Sequence, residues 1–169
     1  IETTIAFLIS HCLYDGEQKA VAFRVAGLKN DIYVDIGDES FHAIKITTDG
    51  WSVISEPPAK FFRTQSMTAL PIPVKGGSVL ALRKFLPQMT DNDFIMIVSW
   101  LVSSFSPRGP YAIMVLDGPQ GSGKSTMVRV LRSLVDPSKA SNRLIPGNAR
   151  DLAINALSTW VIDYDNMSG

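Results

Sequence analysis

The octet Gly118-Pro119-Gln120-Gly121-Ser122-Gly123-Lys124-Ser125 leaves this chain few choices. It satisfies G-x-x-x-x-G-K-[ST] at Gly118, Gly123, Lys124 and Ser125, a pattern that becomes a phosphate cradle only between a strand and a helix. Both flanks fit. Residues 111–117 are an apolar run suited to a strand, and Met127, Val130, Leu131 and Leu134 recur at helical spacing after the octet. The sequence therefore predicts strand, glycine-rich loop and helix in that order, and with them a nucleoside triphosphate as ligand.

Each loop residue has a physical task. Gly118, Gly121 and Gly123 permit the positive φ angles that curl the backbone around a phosphate. Successive N–H groups, with those of Gln120, Ser122 and Thr126, then face an anion at the positive end of the following helix. Lys124 is expected to reach the β- and γ-phosphates of ATP as a point charge, and the Ser125 hydroxyl to ligate Mg²⁺. Thr126 stands where the α-phosphate would lie. Pro119 has no backbone donor, so it stiffens the loop.

Metal-bound phosphate chemistry needs an acid at the end of a neighbouring buried strand. Residues 160–166 offer two, Asp163 and Asp165. Asp163 interrupts the apolar run and Asp165 closes it, which favours Asp165 as the acid that holds Mg²⁺ through water. Asn166 stands next to it. An amide there can orient a water molecule but cannot accept its proton, so the residues leave the general base unassigned.

Composition excludes some classes. Sixteen basic and sixteen acidic side chains among 169 residues give no net field that would announce nucleic acid. No apolar run approaches the ~20 residues of a membrane span, so no membrane partner is expected. A single Cys12 speaks against a disulfide framework and suits a reducing cytoplasm. His11 and His42 lack ligand-spaced partners and read as structural or surface residues. Trp51, Trp100 and Trp160 lie in apolar patterns and read as core. The start at Ile1 and the stop four residues after Asp165 lead us to expect a piece of a longer protein, with a polar sensor strand and an arginine finger elsewhere.

The chain divides into three zones. Residues 2–13 suit a short helix, and alternating apolar segments at 21–25, 32–36, 42–46, 51–54 and 60–63 suit short strands separated by turn residues. Residues 1–70 thus form a small antiparallel β-rich module. Two prolines and two glycines make 71–77 a linker. Residues 78–169 hold the N-terminal part of an ATPase domain: helices over 79–85 and from about 91, the strand at 111–117, a helix over 124–135, a short strand near 143–145, a helix over 149–157 and a strand over 159–164. Alternating strand and helix predicts an α/β fold with a parallel sheet, the phosphate-loop NTPase core, truncated here.

Further strings carry a resemblance: Leu70-Pro71-Ile72-Pro73 with Gly76-Gly77, Trp100-Leu101, Pro107-Arg108-Gly109-Pro110-Tyr111, Leu134-Val135-Asp136-Pro137, Arg150-Asp151-Leu152 and Asp165-Asn166-Met167-Ser168. With the loop, and with Asp49-Gly50-Trp51 and Phe62-Arg63 in the front module, the chain resembles P-loop ATPases of phages and integrative elements, described as replicative helicase or primase-helicase components. The resemblance implies Mg²⁺-dependent ATP hydrolysis, single-stranded DNA as a partner and a homo-oligomeric ring in the full-length protein. It matches Asp165 and Asn166 to the family's Asp-Asn pair and so makes Lys124, Asp165 and Asn166 the catalytic set. Two other classes fit the loop alone: a small-molecule, nucleoside-type kinase, and an ATP-gated scaffold that hydrolyses little.

Overall fold

The computed structural model describes residues 2–87, 89–139 and 145–164. Four antiparallel strands form its main sheet in sequential order: β2 (Val25–Leu28), β3 (Asp31–Asp35), β4 (Ala43–Thr47) and β5 (Gly50–Ile54). Two-residue turns join β2 to β3 and β4 to β5, a longer loop over 36–42 joins β3 to β4, and each strand pairs with the next in sequence, as the alternating pattern predicts. Two short strands, β1 (Val21–Ala22) and β6 (Lys60–Phe61), form a separate parallel pair. The pleat sorts the side chains onto two faces. Val25, Val34 and Ile36, with Ile32, Ile44, Ile46 and Val53 beside them, face one core that also takes in Leu70, Phe105 and Trp160. Ala26 and Tyr33 face a smaller one closed by Ala59 and Phe61.

The helices follow their sequence signals. α1 (Glu2–Tyr14) has no buried residue. A 3₁₀ helix covers Val79–Phe85. Thr90 caps α2 (Asp91–Ser103) through a reciprocal capping box with Asp93, and Phe94, Ile97 and Leu101 form its buried stripe. α3 (Lys124–Val135) buries Met127, Leu131 and Val135, spaced four apart. Leu134, expected on that face, is 45% exposed because the stripe turns toward Val135. α2 and α3 meet in one apolar cluster with Leu86, against which Met114, Leu116 and Trp160 pack. α4 (Ala149–Ala156) starts at an Asn148 cap.

The parallel sheet expected behind the loop is not formed among the described residues. Residues 111–117 and 159–163 run without strand pairing. Met114 and Leu116 turn onto the core, while Ile113 and Val115 are 91% and 71% exposed. The period-two apolar pattern is realised as an extended segment, but its outer face and backbone edge meet no partner strand. The short strand expected near 143–145 falls largely outside the described residues.

The front module and the second half of the chain are joined through buried charge. Arg24, fully buried in the segment between β1 and β2, donates from Nε to Asp136 Oδ1 at 3.0 Å. Its other nitrogens donate to the carbonyls of Asp35, Ile36, Thr68 and Pro137 at 3.0–3.3 Å. Burial pulls this guanidinium below its ordinary pKa, and the carboxylates of Asp136 and Asp35 push it back up. Asp136 Oδ2 in turn accepts from the Thr159 hydroxyl and from the amides of Trp160 and Val161 at 2.8–3.1 Å. Asp35 is held by Arg63, so the charges alternate through the joint. Removing one member of a buried pair strands the other, at about 3–5 kcal/mol. Asp136→Ala is therefore expected to lower the free energy of urea unfolding by about that amount, and Arg24→Met similarly. The double variant should lose clearly less than the sum, because the pair is one interaction; strict additivity would mean the two side chains act independently.

Candidate phosphate-binding site

The loop has the backbone that its sequence requires. Gly118, Gly121 and Gly123 adopt φ of +152°, +81° and +82°. At Gly121 and Gly123 a Cβ would meet no atom within 4 Å, so conformation, not crowding, demands glycine there. Gly123 is also the N-cap of α3, and no side chain caps that helix. The Met127 amide bonds Gly123 O at 2.9 Å, the first rung of the helix's own ladder. A helix start without a capping side chain and preceded by glycines is an arrangement that favours an anion.

Lys124 closes the cradle. Its Nζ donates to Gly118 O at 2.6 Å and to Pro119 O at 2.9 Å, folding the side chain back across the loop. Both acceptors are neutral, and no carboxylate pairs with this ammonium among the described residues, so its charge is available to an anion. The Ser122 amide donates to Pro119 O at 3.3 Å, which makes the tip a compact turn. Gln120, Gly121, Ser122 and Gly123 are exposed, whereas Lys124 and Ser125 are half-buried. Arg129, one turn along α3, donates to Ser125 O at 3.2 Å and approaches Thr126 Oγ1 at 3.5 Å. It brings a second cation to the same helix end, one that sequence inspection missed; its i+4 and i+3 spacing from Ser125 and Thr126 was the available signal.

Of the expected acids, Asp165 and Asn166 lie outside the described residues. Asp163 is described, and it is not aimed at the loop. It is 5% exposed and forms an ion pair with buried Arg132 of α3, whose Nη2 also reaches Thr159 Oγ1 at 3.1 Å. Arg132 is eight residues beyond Lys124, about 12 Å along the helix at 1.5 Å per residue. Asp163 therefore ties its segment to the flank of α3. No cluster of three or more His, Cys, Asp or Glu able to hold a metal exists among the described residues.

The residues discounted from sequence divide. His11 pairs with Asp15, and His42 with Asp38, as surface contacts. Cys12 is exposed, like the rest of α1, which has no buried residue. Trp100 and Trp160 pack on the main helical core and donate their indole N–H groups to Ala112 O and Ser104 O. Trp51 departs from the core assignment: it is 37% exposed and belongs to no core cluster. It sits opposite Ile46 at the tip of the β4–β5 hairpin, on the face of Val53 but past the end of the core.

Comparison with known families places the second half of this chain among replication proteins of mobile elements. Residues 78–169 match the family of actinomycete integrative conjugative element replication proteins, and the chain belongs to that family. The match starts directly after the expected linker at 71–77 and contains the loop. No curated protein and no solved structure matches the chain. No helix among the described residues is long and apolar enough to cross a membrane.

The position of Asp163 generates a prediction. Asp163→Asn keeps the shape but deprives Arg132 of its counter-charge, so unfolding free energy should fall by about 3–5 kcal/mol. MgATP affinity of the folded chain should not change. Urea unfolding and calorimetric titration check the two halves; an unchanged unfolding midpoint with lost nucleotide binding would put Asp163 at the phosphates instead.

Proposed function

We propose that this replication protein binds ATP at Gly118–Thr126 and hydrolyses it with Mg²⁺ as part of a replication motor of the helicase or primase-helicase kind. The phosphate-loop NTPase fold belongs to the same proposal. The observation that carries it is the helix start of α3: three positive-φ glycines, no side-chain cap, and an ammonium that, among the described residues, is held by neutral carbonyls. A helix N-terminus alone would attract many anions. The lysine, reaching back over its own loop, selects one whose charge lies several ångströms from the first-turn amides, as in a polyphosphate chain.

In this reading the amides of residues 121–126 bind the phosphates, and the Lys124 ammonium exchanges Gly118 O and Pro119 O for phosphate oxygens. That exchange replaces neutral acceptors by anionic ones, which is the stronger bond. Ser125 and Asp165 would hold Mg²⁺, which when bound neutralises charge that develops on the transferring phosphoryl group. Asn166 can orient the attacking water, and hydrolysis yields ADP and inorganic phosphate. Met127 and Leu131 pack α3 into the apolar core, which holds the helix start in place. Membership of a mobile-element replication family supports a DNA-directed motor over a metabolite kinase, and a motor of this kind would work as a ring of subunits stimulated by single-stranded DNA.

Lys124→Ala tests the site. The loss of one charge-assisted contact, about 1.5–3 kcal/mol, should weaken MgATP by roughly 10- to 100-fold. The unfolding midpoint should hold, since among the described residues the Lys124 ammonium bonds within its own loop. Equal affinity in wild type and variant by isothermal titration would remove the loop from nucleotide binding.

A further inference from the structure

A second concave site lies about the tip of the β4–β5 hairpin, in the front module, lined by Asp49, Gly50, Trp51, Val74, Lys75, Gly76 and Gly77. Its volume is about 370 Å³, within the range of small-ligand pockets. Three of its side chains are chemically uncommitted. Trp51 offers an indole that is 37% exposed, and its N–H donates to no atom among the described residues. Lys75 makes no ion pair among them, unlike Lys19 and Lys45. Val74 is 82% exposed beside it, although an apolar side chain gains by being covered. Gly76 adopts φ of +91°, and a Cβ at Gly76 or Gly77 would meet nothing within 4 Å, so the strap is open backbone at the edge of the cavity.

An aromatic face, an ammonium with no ion pair among the described residues and an open glycine strap in one cavity match the parts of a nucleotide: a base to stack, and a phosphate to meet positive charge. Asp49 supplies an acceptor suited to an exocyclic amino group of a base. The strap lies immediately before residue 78, where the replication-family match begins, so a strand seated here would run beside the proposed ATPase domain. We infer that the cavity between Trp51 and the 74–77 strap is a contact for single-stranded DNA, taking one nucleotide with its base stacked on Trp51 and its phosphate on Lys75. The inference adds a DNA contact to the proposed motor and needs no hydrolysis: base stacking supplies affinity without sequence selection, as a translocating or strand-separating protein requires.

The test is fluorescence anisotropy with a labelled mixed-sequence single-stranded DNA of twelve nucleotides, without ATP, on the wild-type chain and on Trp51→Ala, Trp51→Phe, Lys75→Gln and Lys124→Ala. Trp51→Ala should weaken binding by about 5- to 100-fold, the range for loss of one stacked base. Trp51→Phe should restore most of it, which guards against a folding defect at the hairpin. Lys75→Gln should lower the slope of log affinity against log salt by about one. Lys124→Ala should bind DNA as the wild type does, so that failure of the ATP site and failure of this one can be told apart. Wild-type affinity in Trp51→Ala, or an unchanged salt slope in Lys75→Gln, would overturn the inference. Displacement of the DNA by an equal concentration of free dCMP would also overturn it, by making the cavity a small-molecule site. So would equally tight, equally Trp51-dependent binding of duplex DNA.

Discussion

One carboxylate organises the molecule. Asp136 caps the end of α3 and receives four donors: Arg24 from the front sheet, and the Thr159 hydroxyl with the amides of Trp160 and Val161 from the C-terminal segment. A buried carboxylate with fewer partners would be a liability, since desolvation of the charge costs several kcal/mol unless it is fully paired. Here its full set of partners fixes three segments relative to each other: β-module, α3 and residues 159–161. Arg24 repeats the logic on its own side, spending all five of its donor contacts on Asp136 and four carbonyls. The joint therefore specifies one arrangement, because any slip leaves buried donors unsatisfied.

α3 turns that joint into a connection with the site. Its first residue, Lys124, folds back over the proposed phosphate loop, and its C-cap is Asp136. Twelve helical residues span about 18 Å, and Met127, Leu131 and Val135 lock that length against α2. Arg132, in the last turn, fastens Asp163 to the same helix. Ligand chemistry at one end and the inter-module joint at the other are thus borne by a single rigid element. The hairpin with Trp51 belongs to the sheet that Arg24 anchors, so both candidate ligand sites refer to one frame.

Much of this was legible in the sequence where a local rule sufficed. The β-meander followed from period-two alternation with turn residues between, α2 from Thr90 and Asp93, and α3 from the loop and its apolar spacing, with bounds of 124–135 in both cases. The positive φ angles of the loop glycines were implied by the motif itself. What the sequence hid is non-local. Arg24 looks like the outward residue of a strand, and its partner is 112 positions away. Asp163 competes with Asp165 as a metal acid in the sequence until Arg132 is seen beside it. Trp51 obeys the alternation that suggests burial, yet the core ends before the hairpin tip does. Residues 111–117 have the composition of a buried strand, but pairing depends on neighbours that no local pattern supplies. The acid and amide at 165 and 166 lie outside the described residues.

The central claim is that the glycine loop at the head of α3 is a triphosphate cradle. Amide resonances of a ¹⁵N-labelled chain, followed as MgATP is added, test it residue by residue. The account predicts saturable shifts concentrated at Gly121, Gly123, Lys124, Ser125 and Thr126, decaying along α3 before Arg132, with the β2–β5 sheet unaffected. Saturable shifts confined to other residues, with the loop amides unmoved at saturation, would contradict it.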